Sequence, residues 1–357
     1  MNQRQTIQLA AGLVLICGFL FLAAIIISGL RRMAAPSGFP TSDLLSTLEA
    51  ITPGTYQPTE FSTPIDSSTQ ATSGESTGEP SGKIVFTCQL FKVQASNQIC
   101  IMNADGTGFR RLTTDGTRQH RYASIASGGK SILYAAFREA NVYELYELDL
   151  TTGTVKQLTD RIGILSAPEI SPDGSTIVFT KGIPNTDKNE IWVMYRDGSD
   201  PMRVFEANNA TAGAWDPTWS PDGSEILFAS NMGGPNQLWR IKLDGSDLKK
   251  VSSLPALRGR SDWSVQNLIV TYSGEAWGRE LYVMNPDGSN QHQISPEGGN
   301  SQGPSFSPDG EWVAFTAYFD HFDDIHGCEI YILRVDGSDL RRLTSNDYCD
   351  YQPRWGP

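Results

Sequence analysis

The residues best suited to metal chemistry lie in one segment near the C-terminus, which reads Asp-His-Phe-Asp-Asp-Ile-His from 320 to 326. Carboxylate oxygens and imidazole nitrogens are ligands for Ca²⁺ or for a transition metal. Short acidic loops are more often simply solvated, and no second cluster with ligand spacing accompanies this one. The sequence therefore predicts no cofactor, and the candidate metal ligands are Asp320, His321, Asp323, Asp324 and His326.

A second candidate for chemistry is a histidine between two arginines. His120, one of only four histidines, is flanked by Arg118 and Arg121. Two guanidinium groups beside an imidazole suit an acidic sugar or a carboxylate. The chain has no His-Glu-x-x-His motif and no phosphate-binding Gly-x-x-x-x-Gly-Lys-Ser/Thr loop. We therefore predict a protein that is not an enzyme.

These residues belong to a chain built of repeats, which begin at Lys83. A short run of β-branched and aromatic residues recurs six times, at intervals of 43 to 49 residues. Such a period indicates a repeat architecture. The runs begin at Ile84, Ile132, Ile177, Ile226, Ile269 and Val313.

Each run is followed by an alternating strand and a glycine turn, five times as Asp-Gly, and then by a short strand such as Arg-Leu-Thr. The tetrapeptide Ser-Pro-Asp-Gly precedes three of the runs, at 171, 220 and 307. Its residues favour a tight turn, so we assign its Ser and Asp to structure and not to catalysis.

Four short strands per repeat predict an all-β, six-bladed β-propeller over residues 83–357. The first repeat begins at the second strand of a blade. The chain ends in Pro353-Arg354-Trp355, which matches the first-strand residues Pro217-Thr218-Trp219. We therefore expect the C-terminal strand to complete the first blade.

The pattern of Met-Asn-x-Asp-Gly, Leu-Thr and Ser-Pro-Asp-Gly-x-x-Ile-x-Phe resembles the TolB-type, WD-like (PD40) propeller repeat. The resemblance implies a propeller like that of the Tol-Pal system, of the domains that precede prolyl peptidase catalytic domains, and of some polysaccharide lyases. Peptidase activity would need a hydrolase domain beyond Trp355, which we do not expect. A metal-assisted polysaccharide lyase or other carbohydrate-active propeller enzyme stays as the alternative function, with His120 as its candidate residue.

In a propeller, the connections to the innermost strands gather around the mouth of the central channel, where binding concentrates. Aromatic and arginine side chains there are typical of protein interfaces, although packing beneath neighbouring loops is an equal alternative for Trp215 and Tyr351. The predicted ligand-binding residues are His120, Arg121, Trp215, Asp216, Arg260, Asp262, Gln302, Tyr351 and Gln352.

The N-terminus predicts a membrane anchor. Residues 9–30 carry no charged side chain and would form about 33 Å of helix, enough to cross a bilayer. A cleavable signal, with a site near Met33-Ala34-Ala35, is the alternative. Residues 1–8 form a short cytoplasmic tail, and residues 31–82 form a flexible stalk rich in Ser, Thr, Pro and Gly. The positive charges flanking the helix are nearly balanced, so the stalk composition is what places the propeller outside the cytoplasm.

Cysteine usage and charge fit that compartment. Besides Cys17 there are four cysteines in the repeats, which favours disulfides Cys88 to Cys100 and Cys328 to Cys349, with four buried free thiols as the alternative. The net charge of −12 argues against nucleic acid as a partner. The prediction is thus a membrane-anchored, extracytoplasmic module that binds or scaffolds an envelope protein or glycan.

Overall fold

The computed structural model describes most of the repeat region. It covers residues 78–90, 96–139, 142–186, 188–206 and 213–357. The predicted tail, the predicted transmembrane segment and the stalk up to residue 77 lie outside these residues. Within them, no helix is long and apolar enough to cross a membrane.

The described residues form an all-β propeller, as predicted. The strands of the first half are β1 Lys83–Gln89, β2 Asn97–Asn103, β3 Arg110–Arg111, β4 His120–Ile125, β5 Ser131–Glu139, β6 Val142–Asp149, β7 Val155–Gln157, β8 Ile164–Ile170, β9 Thr176–Gly182, β10 Asn189–Tyr195, β11 Met202–Phe205 and β12 Ala214–Trp219. Those of the second half are β13 Glu225–Ser230, β14 Gln237–Lys242, β15 Lys249–Lys250, β16 Leu257–Trp263, β17 Ile269–Ser273, β18 Glu280–Met284, β19 His292–Gln293, β20 Gln302–Phe306, β21 Trp312–Ala317, β22 Glu329–Arg334, β23 Arg341–Arg342 and β24 Asp350–Gly356.

These strands form five hydrogen-bonded sheets and not six separate ones. Four sheets have four strands each, in the orders β24-β1-β2-β3, β12-β13-β14-β15, β16-β17-β18-β19 and β20-β21-β22-β23. Strands β4 to β11 make one eight-stranded sheet, because a parallel pair between Tyr143 and Ile164 joins β6 to β8. The prediction of six separate blades is therefore corrected for this part of the chain.

The C-terminal strand completes the first sheet. β24 pairs with β1 from Asp350, opposite Cys88, to Gly356, opposite Lys83. The direction of the innermost strands defines two faces of the propeller. We call the face at which β4, β8, β12, β16, β20 and β24 begin the mouth, and the face at which they end the base.

The core lies between neighbouring sheets. The recurring β-branched and aromatic runs are the second strands of the sheets, and they are buried on both faces because each sheet packs on the next. Ile84 and Phe86 of the first sheet, for example, share a cluster with Trp312 and Ala314 of the last. The cluster joins the two ends of the chain, so the ring of sheets is closed.

The Leu-Thr motif anchors each short outer strand. In the last sheet, the Thr344 hydroxyl donates to the Glu329 carboxylate at 2.5 Å and accepts the Ile330 N–H at 2.9 Å. The same arrangement recurs between Glu144 and Thr159. A buried carboxylate is thereby satisfied by a residue 15 positions further on. The motif is therefore structural.

Residues that precede β1 are held at the base. The Trp355 indole donates to the Ser81 carbonyl at 2.8 Å, and Arg334 donates to the Gly78 carbonyl at 2.9 Å. Arg341 forms an ion pair with Glu79 at 2.7 Å. The described chain therefore enters the propeller on the face opposite the mouth.

Candidate binding site at the channel mouth

Six strands surround the central channel. β4, β8, β12, β16, β20 and β24 each contact the next, and the ring closes from β24 to β4. Each strand has an irregular register with its neighbour at the same point. At that point one residue takes a positive φ, as in a β-bulge. These residues are Tyr122, Ala167, Asp216, Arg260, Gly303 and Gln352, with φ from 25° to 59°.

The predicted binding residues therefore lie on strands and not in connecting loops. Each strand is paired with its neighbour both before and after the bulge, and only the bulge residues are left out of the pairing. The strand therefore extends past the bulge to the mouth. His120 and Arg121 begin β4, Trp215 and Asp216 lie in β12, Arg260 and Asp262 in β16, Gln302 in β20, and Tyr351 and Gln352 in β24.

The bulge residues form a first layer in the channel, which we call the bulge layer. The guanidinium of Arg260 lies 5.7 Å from the ring of Tyr122. The Arg260 backbone N–H donates to Asp216 Oδ2 at 3.1 Å. Gly259 permits this approach, since a Cβ there would lie 2.8 Å from the same oxygen. Residues of three different strands thus meet at the channel.

Two positions further along each strand, a second layer lies closer to the base. Its members, which we call the inner layer, are Ser124, Glu169, Thr218, Asp262, Ser305 and Arg354. Arg354 forms an ion pair with Glu169, and its other two nitrogens donate to the carbonyls of Pro304 at 2.9 Å and Ser261 at 3.0 Å. Burial alone would lower the pKa of Arg354, but Glu169 and Asp262 raise it, so the guanidinium stays charged.

Asp262 is also fully engaged in the inner layer. One carboxylate oxygen accepts the Ser305 hydroxyl and the Phe306 N–H, both at 2.8 Å. The other accepts the Trp263 N–H at 2.9 Å. These bonds tie β16 to β20. The inner layer is therefore closed by hydrogen bonds, and Asp262 is held within it.

Arg260 differs from Arg354 although both are buried. It is 4% exposed. Its Nη2 lies 3.4 Å from the Ala123 carbonyl on the far side of the channel, and its Nε and Nη1 have no hydrogen-bond partner in the described part of the chain. Burial lowers the pKa of Arg260 to about 10, and the nearby Arg354 charge acts in the same direction. The bulge layer therefore holds a poorly compensated cation.

The rim of the mouth is half-buried and mixed in chemistry. Burial raises the pKa of Tyr351 to about 12, so its phenol is neutral. Gln302 accepts from Arg279 at 2.7 Å, and Gln352 accepts from Thr87 at 3.2 Å. Trp215 packs against the cluster around Leu257 and remains partly exposed. Packing and surface exposure thus coexist at the mouth.

His120 is buried beside Tyr134, and the Arg118 backbone and charge both act on its imidazole. It is 6% exposed, its ring lies 5.7 Å from that of Tyr134, and burial lowers its pKa. Arg118 also pairs with Asp115 at 3.3 Å. Burial beside Tyr134 therefore favours the neutral imidazole.

The candidate metal segment is spread along the loop from β21 to β22. Asp320 pairs with Arg342, the Asp324 carboxylate caps the His326 N–H at 2.9 Å, and His326 Nδ1 lies 3.4 Å from the Gln89 side chain. Asp323 lies at a positive φ in the same loop as His321. Across the described residues, no three His, Cys, Asp or Glu side chains gather as a metal-binding set.

Disulfides join the cysteines in the pairs given by the sequence. Cys88 is bonded to Cys100 with a Cα–Cα distance of 5.8 Å, and Cys328 is bonded to Cys349 at 4.5 Å. The Gln89 N–H donates to the Cys349 carbonyl at 3.0 Å. Both bonds therefore lie near the mouth, where the first and last sheets meet.

Asp350, near this junction, escaped sequence reasoning. Asp350 is 2% exposed, and burial together with the adjacent Glu329 charge raises its pKa to about 7. Asn346 donates to it at 2.8 Å. Arg354 and Glu169 were missed as well, although each stands two positions after a bulge residue, Gln352 and Ala167 respectively, in the aligned repeats. That offset is the signal that identifies the inner layer.

Comparisons with known proteins agree with this architecture. The family model described as TolB beta propeller domain matches residues 72–276, more than half of the chain. A Tol-Pal system protein TolB from Anaeromyxobacter dehalogenans is 29% identical over 178 residues. The match covers 49% of this chain and 40% of that relative, so this chain spans less than half of its length.

Solved structures show the same fold. TolB from Acinetobacter baumannii superposes with a TM-score of 0.66 at 22% identity, over 78% of this chain and 68% of that one. A putative TolB from Agrobacterium tumefaciens gives 0.56 at 18% identity, over 78% and 99%. At such identities the likeness concerns the fold alone.

Proposed function

Since the chain belongs to the TolB beta propeller domain family, we propose that it is a non-catalytic module that holds an envelope protein at its channel mouth, outside the cytoplasm. The observation that carries the proposal is the contrast between the two layers of the channel. The inner layer is closed by mutual hydrogen bonds, whereas the bulge layer and rim offer aromatic and arginine groups. This composition is typical of the centres of protein interfaces.

We further propose that the propeller has six blades. The six channel strands, each with a bulge at the same position, support this count. On this view the eight-stranded sheet is two blades joined by the single parallel pair of Tyr143 and Ile164. Five of the predicted mouth residues then come from three adjacent blades, through β12, β16 and β20.

The proposed tether is the predicted transmembrane helix at 9–30 followed by the stalk at 31–82. Residues 78–82 are attached at the base by Arg334, Arg341 and Trp355. A tether that enters there leaves the mouth free for a partner. Propeller and anchor would together display the binding surface towards the envelope.

A protein partner is favoured over a glycan. The matched relatives are described as Tol-Pal system proteins, which supports a place in a protein assembly. A metal-assisted polysaccharide lyase is the alternative, and it would need a base and a metal at the channel. His120 is packed beside Tyr134, which disfavours it as that base.

The proposal is tested with rim variants of the full-length chain in detergent micelles. Arg121→Ala combined with Tyr351→Ala is compared with Val265→Ala, which alters an exposed residue at the base. Envelope proteins that co-purify with the wild type are quantified for each variant. We expect at least a tenfold loss for the rim variant and none for the base variant. Equal loss from both would place binding elsewhere.

A further inference from the structure

The bulge layer contains an arginine that the fold does not satisfy. Arg260 is 4% exposed, and two of its three guanidinium nitrogens have no partner among the described residues. Its φ of 25° is also unusual for a residue other than glycine. An unpaired charge inside a protein is costly, so its presence calls for a compensating ligand.

The charges of Asp216 and Glu169 act on Arg260, but neither carboxylate is hydrogen-bonded to its guanidinium in the described part of the chain. Asp216 Oδ2 accepts the backbone N–H of Arg260, and no described ion pair joins Asp216 to the guanidinium. Glu169 is paired with Arg354. Arg354, in the same channel, has all three nitrogens engaged. Among the described residues, Arg260 thus has two unpaired guanidinium nitrogens where Arg354 has none, and Arg279 at the rim has one, its Nε.

Charge and space around Arg260 favour an anion. Arg121 and Arg279 lie at the rim of the same mouth, and Asp216 and Glu169 are the carboxylates whose charges act on Arg260. Two of the six bulge positions carry only Ala167 and Gly303, and the position of a Cβ on Gly303 would be 3.8 Å from Arg260 Cδ. The bulge layer therefore combines local positive charge with small side chains in a chain of net charge −12.

We propose that Arg260 binds the side-chain carboxylate of an acidic residue that the protein partner inserts into the mouth. This inference rests on the proposed function and names the chemistry of its partner. A carboxylate is the protein group that best matches a guanidinium. Arg260 is 4% exposed, so entry of the carboxylate requires half-buried side chains at the mouth, such as that of Tyr351, to rearrange. Aromatic walls with a buried arginine anchor favour a peptide over a sugar.

The first test uses peptides and leaves the protein unchanged. Random 12-residue peptides with a fixed central Glu are selected against the full-length chain in detergent micelles, and each binder is remade with a central Gln. We expect the Gln peptides to bind at least tenfold more weakly. Gln peptides that bind equally well would overturn the role of the carboxylate while leaving the mouth as a binding site.

The second test changes the arginine. Arg260→Met should abolish binding of the Glu peptides and raise Tm, because it removes an uncompensated buried cation. The matched variant Arg354→Met removes a guanidinium whose three nitrogens are all hydrogen-bonded, so it should lower Tm. Unchanged peptide affinity in Arg260→Met would refute the inference.

Competition separates the remaining outcomes. Oligogalacturonate that displaces the Glu peptides through Arg260 would overturn the choice of a protein partner in favour of an acidic glycan. If no peptide binds and the rim variant also retains all envelope proteins, then the proposed function itself fails together with this inference.

Discussion

Asp350→Asn is expected to stabilise the protein above neutral pH. Asp350 is buried at the start of β24 beside Glu329, and its pKa is raised from 3.8 to about 7, chiefly by burial. A carboxyl whose pKa is higher in the folded state binds its proton more tightly there. Its favourable contribution is complete below the unfolded pKa and is lost as the pH rises through the folded pKa.

The size of the effect follows from that difference. About three pH units at about 1.36 kcal/mol each correspond to about 4 kcal/mol in the free energy of unfolding. The amide of Asn keeps an oxygen for the bond from Asn346 and never ionises. The gain from Asp350→Asn should therefore increase by about 1.4 kcal/mol per pH unit between about pH 4 and pH 7, and then level off.

Urea unfolding of both proteins from pH 5 to pH 8 measures this gain. Asp222→Asn is the matched control, because the Ser220 hydroxyl and the Ser224 N–H lower the pKa of Asp222. Its stabilising contribution is present above its unfolded pKa and is lost only at lower pH, so its effect should be constant over this range. A constant difference for Asp350→Asn as well, or a loss of stability at pH 8, would refute the reasoning.

Three further results are expected. Arg354→Met and Glu169→Gln should each lower the free energy of unfolding by about 3–5 kcal/mol, because each substitution leaves the remaining residue of the ion pair buried and unpaired. The double variant should lose less than the sum of the two. Additive losses would show that the two residues are not coupled. Intact mass should increase on reduction by the mass of four hydrogen atoms, because the reductant supplies two hydrogens to each of two disulfides; no difference would indicate free thiols. The Tm of the wild-type protein should not change when Ca²⁺, Mn²⁺ or Zn²⁺ is added. An increase in Tm that is absent in Asp323→Asn would establish the metal site at the loop from β21 to β22.

The repeat pattern predicted the fold because its chemistry is local. Turn residues such as Ser171 and Asp173 bond to their own backbone neighbours, and the β-branched runs need only a sheet on each side. The complementary ends of the chain predicted the pairing of β24 with β1. The parallel contact between Tyr143 and Ile164 has no such signature, since it depends on how two neighbouring repeats meet.

The site was predicted less well than the fold. Sequence placed Arg260, Asp216 and Gln352 at the mouth because the repeats align, and the structure brings them together at the bulges. The sequence does not show that both carboxylate oxygens of Asp262 accept hydrogen bonds, or that two guanidinium nitrogens of Arg260 have no partner among the described residues. That distinction depends on residues from other sheets, such as Ser305 and Ala123, whose approach no local pattern encodes.

Photo-crosslinking tests the central claim, that the mouth holds a protein partner, most directly. A benzophenone amino acid replaces Gln302 at the mouth or Val265 at the base, in the full-length chain within its native envelope. If the mouth holds a protein partner, a discrete protein adduct is expected from position 302 and none from position 265. Adducts from position 265 alone, or none from either, would contradict it.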